Sequence, residues 1–105
     1  MPEVQPSVRQ RKISELLRRE ISTCLQRNFA LENGAMLYCA SARVTKDLKS
    51  ADIFLVLSKL DKLEDKSENY KKIHPSEDFK YLIKTWIAQN TALKSVPALH
   101  FYQVE

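Results

Sequence analysis

Glycine is almost missing from this chain: among 105 residues, Gly34 is the single example. Phosphate-cradling Walker loops and dinucleotide fingerprints need several glycines within a short span, so both are excluded. Cysteine is scarce as well. Cys24 and Cys39 lack Cys-x-x-Cys spacing and a nearby histidine pair, which predicts small buried hydrophobes and neither a disulfide nor a metal pair. His74 and His100 are isolated, no Gly-x-Ser-x-Gly elbow is present, and the acid pairs Glu64-Asp65 and Glu77-Asp78 are explained by helix charge and capping. The expectation is a protein that is not an enzyme, with no cofactor, no metal and no small-molecule substrate. Long apolar runs are absent too. The longest, Ala51 to Leu57, is interrupted by Asp52, so neither a membrane span nor a secretory signal is expected, and the chain reads as cytoplasmic.

What is present fits one small domain. The 17 Lys and Arg against 13 Asp and Glu leave a net charge of +4, which permits a polyanionic partner without demanding one. Pro2 and Pro6 lie in a short flexible lead-in over residues 1–6, and the domain is expected over 7–105. Ser7-Val8-Arg9-Gln10 reads as a capping box. From there Ile13, Leu16, Leu17, Ile21, Cys24 and Leu25 recur at three- and four-residue steps, predicting an amphipathic helix. Its other face carries Arg11, Lys12, Arg18 and Arg19, with Glu15 spaced to pair with Arg19.

Asn33-Gly34 supplies a turn, and two alternating segments follow it, Met36 to Val44 and Ala51 to Ser58, expected to pair as an antiparallel hairpin. The mixed-charge stretch from Lys59 to Asp78 reads as a loop followed by a weak helix at about Leu63 to Ile73. Pro75 closes it, Ser76 is placed to cap the next helix, and Phe79, Leu82, Ile83, Trp86 and Ile87 form that helix's apolar stripe. Val96-Pro97 stops the helix, and Leu99 and Phe101 alternate with His100 and Tyr102 in a last strand. The order α-β-β-α-α-β predicts an α+β domain with a three-stranded sheet and helices packed on one face. The open face would then carry Leu37, Cys39, Phe54, Val56, His100 and Tyr102. Arg43, Lys46 and Lys49 around the hairpin could gather with the basic residues of the first helix, which points to RNA slightly ahead of a protein partner.

Three separated segments sharpen this. Arg9 to Ile21, Ala42 to Leu55 with its Val44-Thr45-Lys46-Asp47-Leu48 turn, and Leu93-Lys94-Ser95-Val96-Pro97-Ala98-Leu99-His100-Phe101 resemble, in order and spacing, the ribosome-binding factor A family of small-subunit assembly factors. The resemblance implies a type II KH-like fold and a monomeric factor that binds the immature small (30S-type) ribosomal subunit. It implies contact with the 16S-type rRNA near the decoding region and 3′ end, help in late maturation and precursor processing, and a role in cold adaptation. Arg9, Arg11, Lys12, Arg18 and Arg19 are the first candidates for phosphate contacts, with Lys46, Lys49, Lys80 and Lys84 behind them. The alternatives are a KH-like RNA-binding module unrelated to ribosomes, or a protein-interaction domain using the open sheet face. One departure stands out. Where family members carry an Ala-x-Gly kink between helices, this chain has Phe79-Lys80-Tyr81, so Pro75 and its fresh cap are expected to supply the bend.

Overall fold

A computed structural model describes residues 7–29, 36–58 and 70–104. The elements are α1 (Val8–Asn28), β1 (Met36–Val44), β2 (Ser50–Ser58), β3 (Tyr70–Ile73), α2 (Glu77–Asn90) and β4 (Ala98–Val104). The fold is mixed α+β, and the capping signals act as the sequence predicts. Ser7 and Gln10 bond reciprocally at 2.9 and 3.1 Å, and Ser76 Oγ accepts from the Phe79 amide at 3.2 Å. The lead-in, residues 1–6, and the Asn33-Gly34 turn lie outside the described residues.

The sheet corrects the sequence reading: it has four strands in the order β1-β2-β4-β3. β1 pairs antiparallel with β2, β2 parallel with β4, and β3 antiparallel with β4. The added strand takes the C-terminal end of the segment expected as a weak helix; residues 63–69 of that segment lie outside the described ones. Tyr70-Lys71-Lys72-Ile73 finds a full row of partners in β4, from Val104 to Phe101, which outweighs the weak helical preference of a four-residue piece. Ile73 rests against the core. The expected order α-β-β-α-α-β is therefore not matched among the described residues. No kink occurs at Phe79-Lys80-Tyr81, which lies inside the regular α2, and the chain turns before it at His74 to Ser76.

The core is one cluster built from both helices and the sheet. Leu17, Ile21, Ile53, Ile83, Ile87 and Phe101 are all within 1% of complete burial. Leu99 and Phe101 face the helices with Ile53 and Leu55, as expected from their alternation. Leu37 and Cys39 do not belong to the open face. Between Cys39 and Ser41 the register shifts, Cys39 opposing Leu55 and Ser41 opposing Phe54, so Ala40 is a bulge. Odd-numbered residues of β1 point inward before the bulge and even-numbered ones after it, which turns Leu37 and Cys39 onto the core alongside Ala42 and Val44.

Helix α1 also covers the outer edge of β1. Ser22 Oγ accepts from the Cys39 amide at 2.9 Å, Ser14 Oγ accepts from the Val44 amide at 3.2 Å, and Gln10 Nε2 donates to the Val44 carbonyl at 3.2 Å. These bonds satisfy backbone groups that an edge strand would otherwise leave open to another chain. At the far end Trp86 Nε1 donates to Glu20 Oε1 at 3.2 Å and the Arg27 guanidinium lies 5.7 Å from the Trp86 ring, joining α2 to α1.

Both cysteines are free and buried. Burial pushes the Cys39 thiol up to about 12, partly countered by the Arg18 charge. Folding thus raises this pKa above the 9.0 of an ordinary thiol. The stabilisation from a neutral buried thiol is complete below the unfolded pKa and is lost as pH rises through the folded one. The unfolding free energy from urea titration should therefore fall between pH 9 and 12, by about 1.4 kcal/mol per pH unit at most, and Cys39→Ala should flatten that fall. An equal alkaline loss in the variant would assign the effect to other groups.

Candidate nucleic-acid interface

The basic residues converge around the first turns of α1. Cations there oppose the helix dipole, whose positive end favours acids, so Arg9, Arg11 and Lys12 are placed against helix stability. The first turn of α1 holds no acid, whereas α2 begins with Glu77 and Asp78. A placement that costs stability and leaves the positive potential unopposed suits an anionic partner.

Two grooves flank this end. The larger, about 940 Å³, runs between α1 and β1 with Gln10 and Ser14 at its base, and Arg11, Arg18, Arg43 and Lys46 stand around it against a single carboxylate, Glu15. The other lies between the N-terminal half of α1, the β1–β2 turn and the α2–β4 connection, where Arg9, Lys49 and Lys94 surround Ile13, Leu48 and Pro97. Its one acid, Asp47, is already engaged. Asp47 Oδ1 accepts from the Lys49 amide at 3.0 Å and the Thr45 hydroxyl at 2.7 Å, and these bonds hold its carboxyl below the usual carboxylate range. The same turn sets Leu48 at φ 63, a left-handed conformation unusual for a branched side chain, with its side chain against the core. The turn is thus fixed from both sides, and Lys46 and Lys49 leave it toward different grooves.

The structure separates the sequence candidates. Arg9 with Lys49, and Arg11 with Arg18 and Lys46, come together. Lys12 and Arg19 instead line a shallow hollow on the outer side of α1, beside Val8 and Leu16. Arg18 is partly committed: its Nε donates to Glu15 Oε2 at 2.9 Å, and this bond, followed by the charges of Arg18 and Arg19, holds the Glu15 carboxyl below its ordinary value. The partner of Glu15 is therefore Arg18 at three residues, and not Arg19 at four. Lys80 and Lys84 belong to α2 and line neither groove; Lys80 is partly covered and lies 3.7 Å from Glu77. Lys94 was not singled out from sequence. The signal available was its place inside the Leu93-Lys94-Ser95-Val96-Pro97 segment, whose turn brings it beside Arg9.

Among the described residues no helix is long and apolar enough to cross a membrane, and no group of three or more His, Cys, Asp and Glu could hold a metal ion. The chain is similar to curated proteins named ribosome-binding factor A. That of Azotobacter vinelandii is 28% identical over 94 residues, covering 89% of this chain and 70% of the relative. The Macrococcus caseolyticus protein is 28% identical over 95 residues, 90% of this chain and 79% of its own length, and one from Pseudomonas fluorescens is 25% identical over 97 residues, 92% and 71%. The sequence model of the same family matches residues 9–103, which takes in both grooves and all of the strands except the last residue of β4, and the chain belongs to the ribosome-binding factor A family.

Proposed function

We propose that this chain is a cytoplasmic, monomeric ribosome assembly factor that binds the immature small subunit. It contacts 16S-type rRNA near the decoding region and 3′ end, aids late maturation and precursor processing, and matters most in the cold. Membership of the family supports assembly work, and the observation that carries the RNA reading is the pair of basic grooves flanking the acid-free start of α1. Phosphates set against Arg9, Lys49 and Lys94 on one side and Arg11, Arg43 and Lys46 on the other would be held chiefly by charge and counterion release. No bond is made or broken by the protein in this mechanism. It acts by occupying rRNA and holding a late intermediate until it is released. The small-subunit partner, the rRNA region and a KH-like relationship of the helix-hairpin core come from the resemblance of the three sequence segments.

Gradient sedimentation tests the proposal. The protein should travel with free small subunits and be absent from joined ribosomes, and its binding should weaken steeply as salt rises from about 0.05 to 0.2 M. Equal occupancy of joined ribosomes, or binding indifferent to salt, would sink it.

A further inference from the structure

The face of the sheet turned away from the helices holds a second concentration of recognition chemistry. Phe54 is its centre. The Tyr102 ring stacks on it at 5.1 Å with 21° between planes, the Tyr70 ring meets it edge-on at 4.9 Å, and the Arg43 guanidinium lies 5.7 Å from its centroid. Strand register adds Lys72, directly opposite Tyr102, and Tyr38, opposite Val56. The four aromatic rings are only half-buried, while Arg43 on β1 and Lys72 on β3 are exposed at the two edges of the sheet. Among the described residues the one carboxylate on this face is Asp52, placed between Arg43 and His100 in adjacent strands.

Aromatic rings in the middle with cations at both edges are matched by a ligand that has flat faces and regularly spaced negative charge. Unpaired nucleotides have both, and a base stacks on an aromatic side chain with little regard to sequence. Duplex RNA hides its base faces, so it cannot use such a surface. A protein partner would favour a centre of aliphatic side chains with charges kept to the rim, whereas here Arg43 lies over the central ring itself. We infer that this open face is a separate RNA-binding surface that takes single-stranded nucleotides, stacking bases on Tyr70 and Tyr102 and holding phosphates with Arg43 and Lys72. The inference shares the RNA partner of the proposed function but none of the α1 groove residues other than Arg43, which stands between the two surfaces.

Fluorescence anisotropy with a twelve-nucleotide single-stranded RNA of mixed sequence, and with a hairpin duplex, tests it. Tyr70→Leu with Tyr102→Leu keeps the apolar area and removes the stacking faces. Single-strand affinity is expected to fall by about tenfold or more, with duplex affinity held within about twofold. A second variant, Lys72→Gln, alters an exposed side chain and should weaken single-strand binding and its salt dependence even if the leucine pair fails to fold. Ultraviolet crosslinking of the unaltered protein to the same oligonucleotide should mark the peptides containing Tyr70 and Tyr102. Unchanged single-strand affinity in a folded leucine variant, or crosslinks confined to α1, overturns the inference. Loss of small-subunit binding by that variant without loss of oligonucleotide binding also overturns it and assigns the face to a ribosomal protein. Neither result would touch the groove-based reading, which the charge reversals on α1 and the β1–β2 turn test separately.

Discussion

Reversing Arg9, Arg11, Lys46 and Lys49 to glutamate is expected to weaken small-subunit binding by about a thousandfold near 0.15 M salt. The magnitude follows from counterion release: if each side chain meets one phosphate, removing four contacts lowers the log-log salt slope by about 3.6, at about 0.9 per contact. Titration at several salt concentrations reads both quantities. All four side chains are exposed, so the core is untouched. The start of α1, moreover, should gain. Glutamates at Arg9 and Arg11 place acids where the helix dipole favours them, worth about 0.3 to 1 kcal/mol each, so the thermal midpoint should hold or rise while binding disappears. Opposite signs for stability and affinity separate a functional surface from a structural one. Reversal of Lys80 and Lys84, which line neither groove, should cost less than about fivefold, since charges that make no phosphate contact act only through a field that salt screens. If the α2 pair proved the costlier, the RNA surface would have to move to that helix.

That experiment differs from the one sequence alone would suggest, and the difference shows what the residues could reveal. The helix starts, the hairpin and the inward Leu99 and Phe101 were legible because each depends on local chemistry: a hydroxyl at a cap, alternation on a strand, a proline that ends a helix. On a helical wheel Arg11 and Arg18 share one line and Lys12 and Arg19 another, about 100° away, but the wheel does not say which line borders a groove. Folding decides it, because the edge of β1 packs along the Arg11–Arg18 side of α1, and Glu15 then engages Arg18. Lys94 joins Arg9 through tertiary contact, which no local pattern encodes.

The bulge at Ala40 was hidden for a related reason. In Met36 to Val44 both alternating sets contain apolar residues, so the pattern permits either face to be inward and even a switch between them. The fourth strand was hidden by shortness: Tyr70 to Ile73 is too brief to show a period, and only the open edge of β4 gives it a partner.

Phe101→Ala should be the most destabilising single change in the domain, by about 3 to 5 kcal/mol. Phe101 is 1% exposed and stands on β4 between Ile53 of β2 and Ile73 of β3. Its ring meets Phe79 edge-on at 5.5 Å, and Phe79 in turn lies 5.5 Å from Phe29 beyond the end of α1. One side chain thus ties the centre of the sheet to the start of α2 and, through Phe79, to the end of α1. Its loss would leave a cavity that the sheet, in which β4 and β2 are each paired on both sides, can close only in part. No buried polar or charged side chain is found among the described residues, so apolar packing carries the interior and no ion pair offsets the void. Against a total of about 5 to 15 kcal/mol, the variant should melt roughly 12 to 40 °C lower, at about 4 to 8 °C per kcal/mol for a domain of this size. Urea titration at low temperature, where it still folds, should show a lower midpoint with the slope unchanged, and the folded fraction should keep groove affinity within about twofold. A loss below about 1.5 kcal/mol would mean that Phe79 and Ile73 collapse into the space, and that β3 is held by its backbone pairing with β4 more than by the core.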